Sequence, residues 1–259
     1  MALNLVLDKD IPFTEKFDRI LNIEEIRDYI IKMSNSEEDS IRSIINHSTH
    51  SIPKVIYARP HKNKIKVYGI GSDGAKAIER LHEMFKDKKS IVIKNKKYKI
   101  KQLFITDNLQ LLPRSTDIKN RYTTLTPLCV INKHNQRTYQ WIVGKNFGDG
   151  KYIQHGTPEQ LKSFYKDIEE FTSNQIRDHI RYMLSQLFKG KKKEDFKFVD
   201  DIVIEWESIN IIHHHYHTEE KAIPMVRGQF TSNYELPMFV GYKTGKGFGE
   251  LLLKSNKVA

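Results

Sequence analysis

The sequence holds a single cysteine, Cys129, among its 259 residues. One thiol excludes an internal disulfide framework and a zinc finger built on cysteines. No stretch approaches the roughly 18 consecutive apolar residues of a membrane-spanning helix, and the N-terminus lacks the basic lead-in of a secretory signal. Glycine and proline are sparse, at 13 and 8 residues, while hydrophobic residues make up 39% and charged residues 29%. This balance excludes collagen-like and mainly disordered chains. These absences predict a soluble, cytoplasmic protein with no membrane partner.

Positive charge is in excess. The chain has 43 Lys and Arg residues against 32 Asp and Glu residues, which gives a formal net charge of +11. Such an excess favours a polyanionic partner, and nucleic acid is the commonest one. A lysine-rich surface that arises from coding bias would have the same composition, so charge alone leaves both interpretations open.

The order of the predicted elements is roughly the same in the two halves of the chain. In the first half, periodicity predicts a strand, two helices, a strand pair, a helix and a second strand pair. In the second half it predicts elements at residues 122–131 (strand), 158–188 (helix), 202–217 and 222–230 (strands), 234–239 (short helix) and 250–254 (strand). Both halves match the β-α-β-β-α-β order of a ferredoxin-like unit. We therefore predict an α+β protein of two tandem ferredoxin-like domains, 1–113 and 114–259.

Two predicted strands of the first half carry lysines at alternate positions. Alternation places Lys64 and Lys66 on one face of their strand, and Lys97, Lys99 and Lys101 on one face of another. Each ammonium group can neutralise a phosphate and release a counterion. Together with the lysine-rich loop at 189–193, these strands predict an RNA-binding surface, with an ordinary solvent-exposed face as the alternative.

Residues 69–74 read Gly-Ile-Gly-Ser-Asp-Gly and fit the dinucleotide-binding pattern G-x-G-x-x-G between a strand and a helix. The next strand ends in Lys94, where an NAD site needs an acidic residue, and no second crossover helix follows. Lys94 would suit the 2′-phosphate of NADP, so an NADP-dependent oxidoreductase is a remote alternative. The favoured interpretation is structural, with Ser72 or Asp73 as the helix cap.

Residues 213–217 read His-His-His-Tyr-His. On a strand, His213, His215 and His217 share one face, but ligands spaced roughly 6–7 Å apart on a flat strand are too far apart for one metal ion. We therefore predict no metal site here. Imidazole rings can stack on bases and donate to phosphate, so these histidines are predicted to contact RNA. Proton transfer by one of them is the alternative role.

Residues 241–249 read Gly-Tyr-Lys-Thr-Gly-Lys-Gly-Phe-Gly and form the most distinctive segment. Its glycines let the backbone approach another chain closely, and its lysines add positive charge. The spacing does not fit a Walker A loop. The stretch 228–253, with its terminal Gly-Lys-Gly-Phe-Gly, resembles the CRISPR repeat-processing endoribonuclease family of the RAMP superfamily.

This resemblance implies a fold, a partner and a reaction. In that family the chain folds as two ferredoxin-like domains, the glycine-rich loop contacts RNA, and the partner is the CRISPR precursor RNA at its repeat. The repeat is cut without metal or other cofactor, by attack of a 2′-hydroxyl that leaves a 2′,3′-cyclic phosphate and a 5′-hydroxyl. The residues implied in RNA binding at this end of the chain are Arg227, Gly241, Lys243, Gly245, Lys246, Gly247 and Gly249.

The resemblance also implies where the catalytic groups lie. Many members carry a catalytic histidine after the first-domain helix and just before the second strand, and residues 46–54 occupy that place. His47 or His50 would act as general acid or base, with slight preference for His47 because of its distance to Lys54. Lys54 would face the phosphate oxyanion, and Tyr29 would orient the 2′-hydroxyl. Solvent-facing histidines without a role are the alternative.

Other RAMP proteins share the glycine-rich loop and do not cut RNA. A non-catalytic subunit that holds guide RNA in a CRISPR effector complex is therefore an alternative function. The resemblance is compatible with a monomer or a homodimer.

Overall fold

The structure is a computed structural model, and it describes residues 1–11, 21–34, 39–45, 54–58, 60–93, 95–107, 112–131, 135–148, 156–188, 190–214, 223–242, 244 and 249–254. The chain divides into two compact units, Met1–Leu111 with Lys243–Glu250 and Leu112–Tyr242 with Leu251–Ala259. The domain limits drawn from the sequence, 1–113 and 114–259, stay a prediction. No helix in the described part of the chain has both the length and the apolar character needed to cross a bilayer.

The first unit is an antiparallel sheet covered on one side by helices. Its strands are β1 (Ala2–Leu7), β2 (Val55–Tyr57), β3 (Lys64–Gly69), β4 (Ser90–Ile93) and β5 (Lys96–Thr106), and its helices are α1 (Leu21–Met33), α2 (Asp39–Ile45) and α3 (Gly71–Lys86). The strands lie in the order β2-β3-β1-β5-β4, and every neighbouring pair is antiparallel. A central β1 flanked by β3 and β5 is the ferredoxin-like arrangement.

Strand alternation decides which face of this sheet is buried. Leu3 and Leu5 of β1 and Val67 of β3 are at most 1% exposed and pack against the helices, including Ile78 and Leu81 of α3. Burial of such apolar surface is the main force that holds the helices on this face. The opposite face of β3 therefore carries the polar side chains of that strand.

The second unit repeats the strand order with a different helical layer. Its elements are β6 (Arg114–Thr124), α4 (Gln136–Phe147), α5 (Pro158–Leu187), β7 (Ile204–His214), β8 (Ile223–Glu235) and β9 (Leu251–Lys254), with short 3-10 turns at Lys193–Asp195 and Lys197–Asp201. The sheet order is β7-β8-β6-β9, again antiparallel throughout. Of the described residues between β8 and β9, none is in an α-helix.

Helix α5 contributes more buried apolar side chains to the core of this unit than any other element. Thr157 forms a capping box with Gln160 at its start, which satisfies backbone N–H groups that have no partner within the helix. Phe164 and Ile176 are fully buried in the same cluster as Tyr122 and Phe230 of the sheet. The helix runs for 30 residues without interruption, as the prediction of one helix at 158–188 requires.

The predicted fold class is confirmed, but two local predictions are wrong and one helix was not predicted. The strand predicted at 122–131 is β6 (Arg114–Thr124), and Leu128 and Cys129 form only isolated bridges to Val226 and Tyr242. The short helix predicted at 234–239 is absent, because Tyr234 and Glu235 continue β8 and pair with the start of β6. Helix α4 was not predicted.

The glycines of residues 69–74 have a packing role. A Cβ atom on Gly69 would lie 2.2 Å from the Gly74 carbonyl oxygen, and one on Gly74 would lie 2.3 Å from the Lys54 carbonyl oxygen. The surrounding sheet is antiparallel, unlike the parallel sheet of a dinucleotide-binding unit. The capping role predicted for Ser72 or Asp73 is wrong, since α3 begins at Gly71 with Ile70 as N-cap and no side-chain cap.

Candidate nucleic-acid interface

The face of the first sheet that points away from its helices carries exposed lysines. Lys66 pairs with Asn4 and Lys64 with Val6 across β3 and β1, and both lysines are exposed while Ile65 between them is buried. Lys97 and Lys99 are exposed on β5, on either side of Tyr98, which is buried in the core. The alternation predicted for these four lysines is therefore present.

Lys101 departs from this regular pattern. Val6 pairs with Gln102 and Leu7 with Ile100, so the register between β1 and β5 shifts at this point. Such a bulge leaves one residue without a partner in the ladder. Lys101 is exposed there, but strict alternation does not extend from Lys99 through it.

An aromatic ring lies on the same face and was missed by the sequence analysis. Phe104 of β5 is 42% exposed and pairs with Asn4 of β1, which in turn pairs with Lys66 of β3. An exposed aromatic ring in line with ammonium groups is the combination that single-stranded nucleic acid needs, since bases stack and phosphates seek cations. Simple alternation from Lys99 would place Phe104 on the helix-covered face. The bulge at Lys101 reverses the faces after it, so Phe104 lies on the lysine-bearing face instead.

The outward-facing side of the second sheet has a different electrostatic character. Lys119 of β6 donates to Glu205 of β7 at 2.5 Å, and Arg121 of β6 donates to Glu207 at 2.5 Å and 2.8 Å. The hydrogen bond and charge of Lys119 lower the pKa of Glu205. These two cations already have carboxylate partners, so a phosphate would have to compete for them.

Arg227 lies on β8, half-buried, and pairs across the sheet with Asn210 of β7. The neighbouring Gly228 donates its N–H to the hydroxyl of Thr124 at 3.1 Å. A Cβ atom on Gly228 would lie 2.1 Å from the Ser208 carbonyl oxygen, so this position must stay glycine for β7 and β8 to pair.

Only part of the glycine-rich loop falls within the described residues. Gly241 has a φ of 90° and Gly249 a φ of 78°, in the region that favours glycine. A Cβ atom on Gly241 would lie 3.1 Å from the Cys129 carbonyl oxygen, which accepts a hydrogen bond from the Tyr242 N–H at 2.7 Å. Lys243, Gly245, Lys246 and Gly247 lie outside the described residues.

Of the four predicted catalytic residues, the structure describes Tyr29 and Lys54. His47 and His50 lie outside the described residues. Tyr29 lies on α1 beside the apolar side chains of Ile26 and Phe85, and its burial raises the pKa of its phenol. Lys54 immediately precedes β2, and its carbonyl oxygen accepts the Ile70 N–H at 2.8 Å, which ties this residue to the start of α3.

The two other basic segments are partly described. His213 is the penultimate residue of β7 and pairs with Pro224, whereas His215 and His217 lie outside the described residues. In the described part of the chain, no group of three or more His, Cys, Asp or Glu side chains is arranged to hold a metal ion. In the lysine-rich loop, Lys191 and Lys192 are exposed, and the Lys193 ammonium lies 5.1 Å from the Tyr182 ring centroid.

A buried histidine at the base of the glycine-rich loop was also missed. His179 of α5 is 7% exposed, and its ring meets the Tyr242 ring edge-on at 6.1 Å between centroids. Burial lowers the pKa of His179 to about 4, so the ring is neutral at pH 7. Its Nδ1 atom has no hydrogen-bond partner among the described residues.

Known structures share this fold over nearly the whole chain. A Cas6b crystal structure matches with a TM-score of 0.61 and 18% identity, covering 98% of this chain and 100% of the other. A Cas6 product complex matches with a TM-score of 0.55 and 10% identity, covering 98% and 99%. A RAMP protein described as binding different RNA substrates matches with a TM-score of 0.53 and 16% identity, covering 98% and 99%.

Sequence comparison alone finds no such relationship. No family model matches the chain, and no curated protein matches it. With identities this low, the similarity concerns the arrangement of strands and helices. The chain therefore has the fold of Cas6 and RAMP structures, as two ferredoxin-like units.

Proposed function

We propose that this protein is a metal-independent endoribonuclease that binds CRISPR precursor RNA at its repeat and cuts it once to give guide RNAs. The observation that carries the proposal is the fold shared with the Cas6b structure over 98% of the chain. In the proposed reaction a 2′-hydroxyl attacks the adjacent phosphorus and the P–O5′ bond breaks. The products are a 2′,3′-cyclic phosphate and a 5′-hydroxyl, and no cofactor takes part.

The residues before β2 carry the chemistry in this proposal. His47 or His50 serves as general base for the 2′-hydroxyl or general acid for the departing 5′-oxygen. Lys54 stabilises negative charge on the phosphate oxygens. Tyr29 orients the attacking hydroxyl as a hydrogen-bond donor, which fits the raised pKa of its phenol, because a protonated phenol can donate.

RNA binding is assigned mainly to the lysine-bearing face of the first sheet. Lys64, Lys66, Lys97 and Lys99 are exposed on this face, Lys101 is exposed at the bulge beside it, and Phe104 offers a ring on which a base can stack. Arg227, the glycine-rich loop (241–249) and the histidines at 213, 215 and 217 are assigned further RNA contacts. The protein acts in the cytoplasm as a monomer or homodimer.

A second candidate function is a non-catalytic, guide-RNA-binding subunit of a CRISPR effector complex. The similarity to a RAMP protein described as binding different RNA substrates favours it, because that description names RNA binding and not cleavage. The two candidates share the RNA-binding face and differ in whether product forms.

The deciding experiment is a cleavage assay in EDTA with repeat RNAs from the protein's own genomic neighbourhood. Wild type is compared with His47→Ala, His50→Ala and Lys54→Ala. His61→Ala is the matched control, since His61 is exposed in the turn before β3. A single cut that ends in a cyclic phosphate, lost in one histidine variant and kept in the control, supports the nuclease.

Tight binding without product in every preparation would contradict the nuclease and favour the guide-RNA-binding subunit. Cleavage that needs a divalent cation would contradict the proposed mechanism.

A further inference from the structure

Helix α4 in the second unit exposes a tryptophan that the proposed function does not use. Trp141 is 63% exposed, although tryptophan is usually well buried because of its large apolar area. Its neighbours Tyr139 and Ile142 are buried, so the helix is anchored by its other face. An indole left in water on an anchored helix is a candidate binding element.

Cations flank this ring along the helix. Arg137 lies four residues before Trp141 and Lys145 four residues after it, and this spacing places the three side chains on one face. Both cations are exposed, and the sequence of α4 contains no acidic residue. The face is therefore a stripe of guanidinium, indole and ammonium.

The ring is held in place by its neighbours. The Lys145 ammonium lies 5.5 Å from the indole centroid and donates to both carboxylate oxygens of Asp167 at 3.1 Å and 2.9 Å. Asn146 donates to the same carboxylate at 2.8 Å. Lys145 therefore contacts both the Asp167 carboxylate and the indole ring.

We propose that the α4 stripe, Arg137, Trp141 and Lys145, is a second RNA-binding site that takes single-stranded RNA, with one base stacked on the indole and an adjacent phosphate near Arg137. This site rests on the proposed function, since it would hold the single-stranded part of the same precursor RNA outside the repeat. The occupant follows from complementarity: a phosphate suits the Arg137 guanidinium, and an unpaired base suits the exposed indole ring. In a duplex the bases are paired and stacked on one another, so no base is free to stack on the indole.

Intrinsic fluorescence tests the site directly. The chain has two tryptophans, and the second, Trp206, is half-buried with its Nε1 atom donating to the Ser173 hydroxyl at 3.0 Å. A short oligouridylate is titrated into wild type and Trp141→Ala, and a blunt RNA duplex serves as the comparison ligand. We expect saturable quenching by the single strand in wild type only. The anisotropy of a dye-labelled oligouridylate gives the affinity of both proteins, which should be about tenfold lower in Trp141→Ala, the typical effect of losing one stacked base.

Two further measurements separate this site from the proposed function. Phe188→Ala removes another exposed ring, which is 44% exposed, and should leave oligouridylate affinity unchanged. Cleavage of an isolated repeat should be equal in wild type and Trp141→Ala, so a protein that does not cut leaves the fluorescence result intact. Equal oligouridylate affinity in wild type and Trp141→Ala, or equal quenching by duplex, would overturn the proposal and leave the stripe as a surface for a protein partner.

Discussion

Tyr57 donates a hydrogen bond from its phenolic hydroxyl to the carbonyl oxygen of Ile45 at 3.2 Å, and both side chains are 1% exposed. Ile45 is the last residue of α2 and Tyr57 the last residue of β2, so the bond joins the two elements on either side of the segment that holds His47 and His50. Burial raises the pKa of Tyr57, and the phenol therefore stays a donor. This bond therefore ties the end of α2 to the end of β2.

Replacing Tyr57 with Phe should weaken both the fold and the reaction. The substitution removes the donor and leaves a buried carbonyl oxygen without it, which costs about 1 to 3 kcal/mol of unfolding free energy. We expect a lower urea midpoint and slower repeat cleavage. His47→Ala should slow cleavage as well, because His47 is proposed to take part in proton transfer. An unchanged midpoint in Tyr57→Phe would show that the bond does not stabilise the protein.

Charge removal on the two sheets should have unequal effects on RNA affinity. Lys66→Ala should reduce affinity and lower the slope of log K against log salt by about 1, since one phosphate contact is lost. Lys119→Ala is the matched control, because Lys119 is already paired with Glu205. Equal losses in the two variants, measured by fluorescence anisotropy over a salt series, would contradict the assignment of RNA to the first sheet.

Phe104→Ala should weaken binding of repeat RNA by about 1 to 3 kcal/mol, the range for one stacked base. Val92→Ala is a control on the same sheet, since Val92 is 45% exposed and has no π-system. Filter binding at fixed salt measures both. If Val92→Ala lowers RNA affinity as much as Phe104→Ala does, the loss comes from removing apolar area and base stacking is not involved.

The buried His179 predicts a pH-dependent stability. Its pKa is about 4 in the folded chain and about 6.5 when unfolded. The unfolded state therefore binds the extra proton first, and stability present above about pH 6.5 is lost as the pH falls towards about 4, by on the order of 3 kcal/mol. His179→Phe should remove this loss in urea titrations at pH 7 and pH 5. An identical pH dependence in the variant would contradict it.

Two glycine substitutions should change stability in opposite directions. Gly74→Ala puts a methyl group 2.3 Å from the Lys54 carbonyl oxygen, so the backbone must shift at a cost of about 1 to 3 kcal/mol. Gly144 lies within α4 with nothing within 4 Å of an added Cβ, and Gly144→Ala should stabilise by about 0.5 to 1 kcal/mol. Thermal melts of both variants give the test.

The first sheet was easier to predict than the second because the sequences of its strands show which side chains are buried. Residues 64–67 alternate strictly between lysine and apolar residues, as a sheet with one covered face requires. In contrast, β6 begins Arg114-Ser-Thr-Asp-Ile-Lys and shows no alternation. It is a strand because β8 and β9 lie on either side of it and satisfy its backbone groups, and that pairing is tertiary information.

The residues of the candidate RNA-binding face were also predictable only in part, because strand pairing decides which face each of them occupies. Alternation was enough to find Lys64, Lys66, Lys97 and Lys99. Phe104 was not found, because a one-residue bulge at Lys101 reverses the faces of everything after it on β5, and single sequences rarely reveal a bulge. Helix α4 was missed because it is short, at 12 residues, and Gly144 weakens its helical signal.

The buried cysteine makes this protein convenient for chemical labelling. Cys129 is the only thiol in the chain and is 0% exposed, so maleimide reagents will not reach it in the folded state. A second cysteine introduced at an exposed position, such as Val92→Cys, would then carry a fluorophore alone. Dye pairs between such a position and the end of an RNA would report the path of the bound strand without first removing a native thiol.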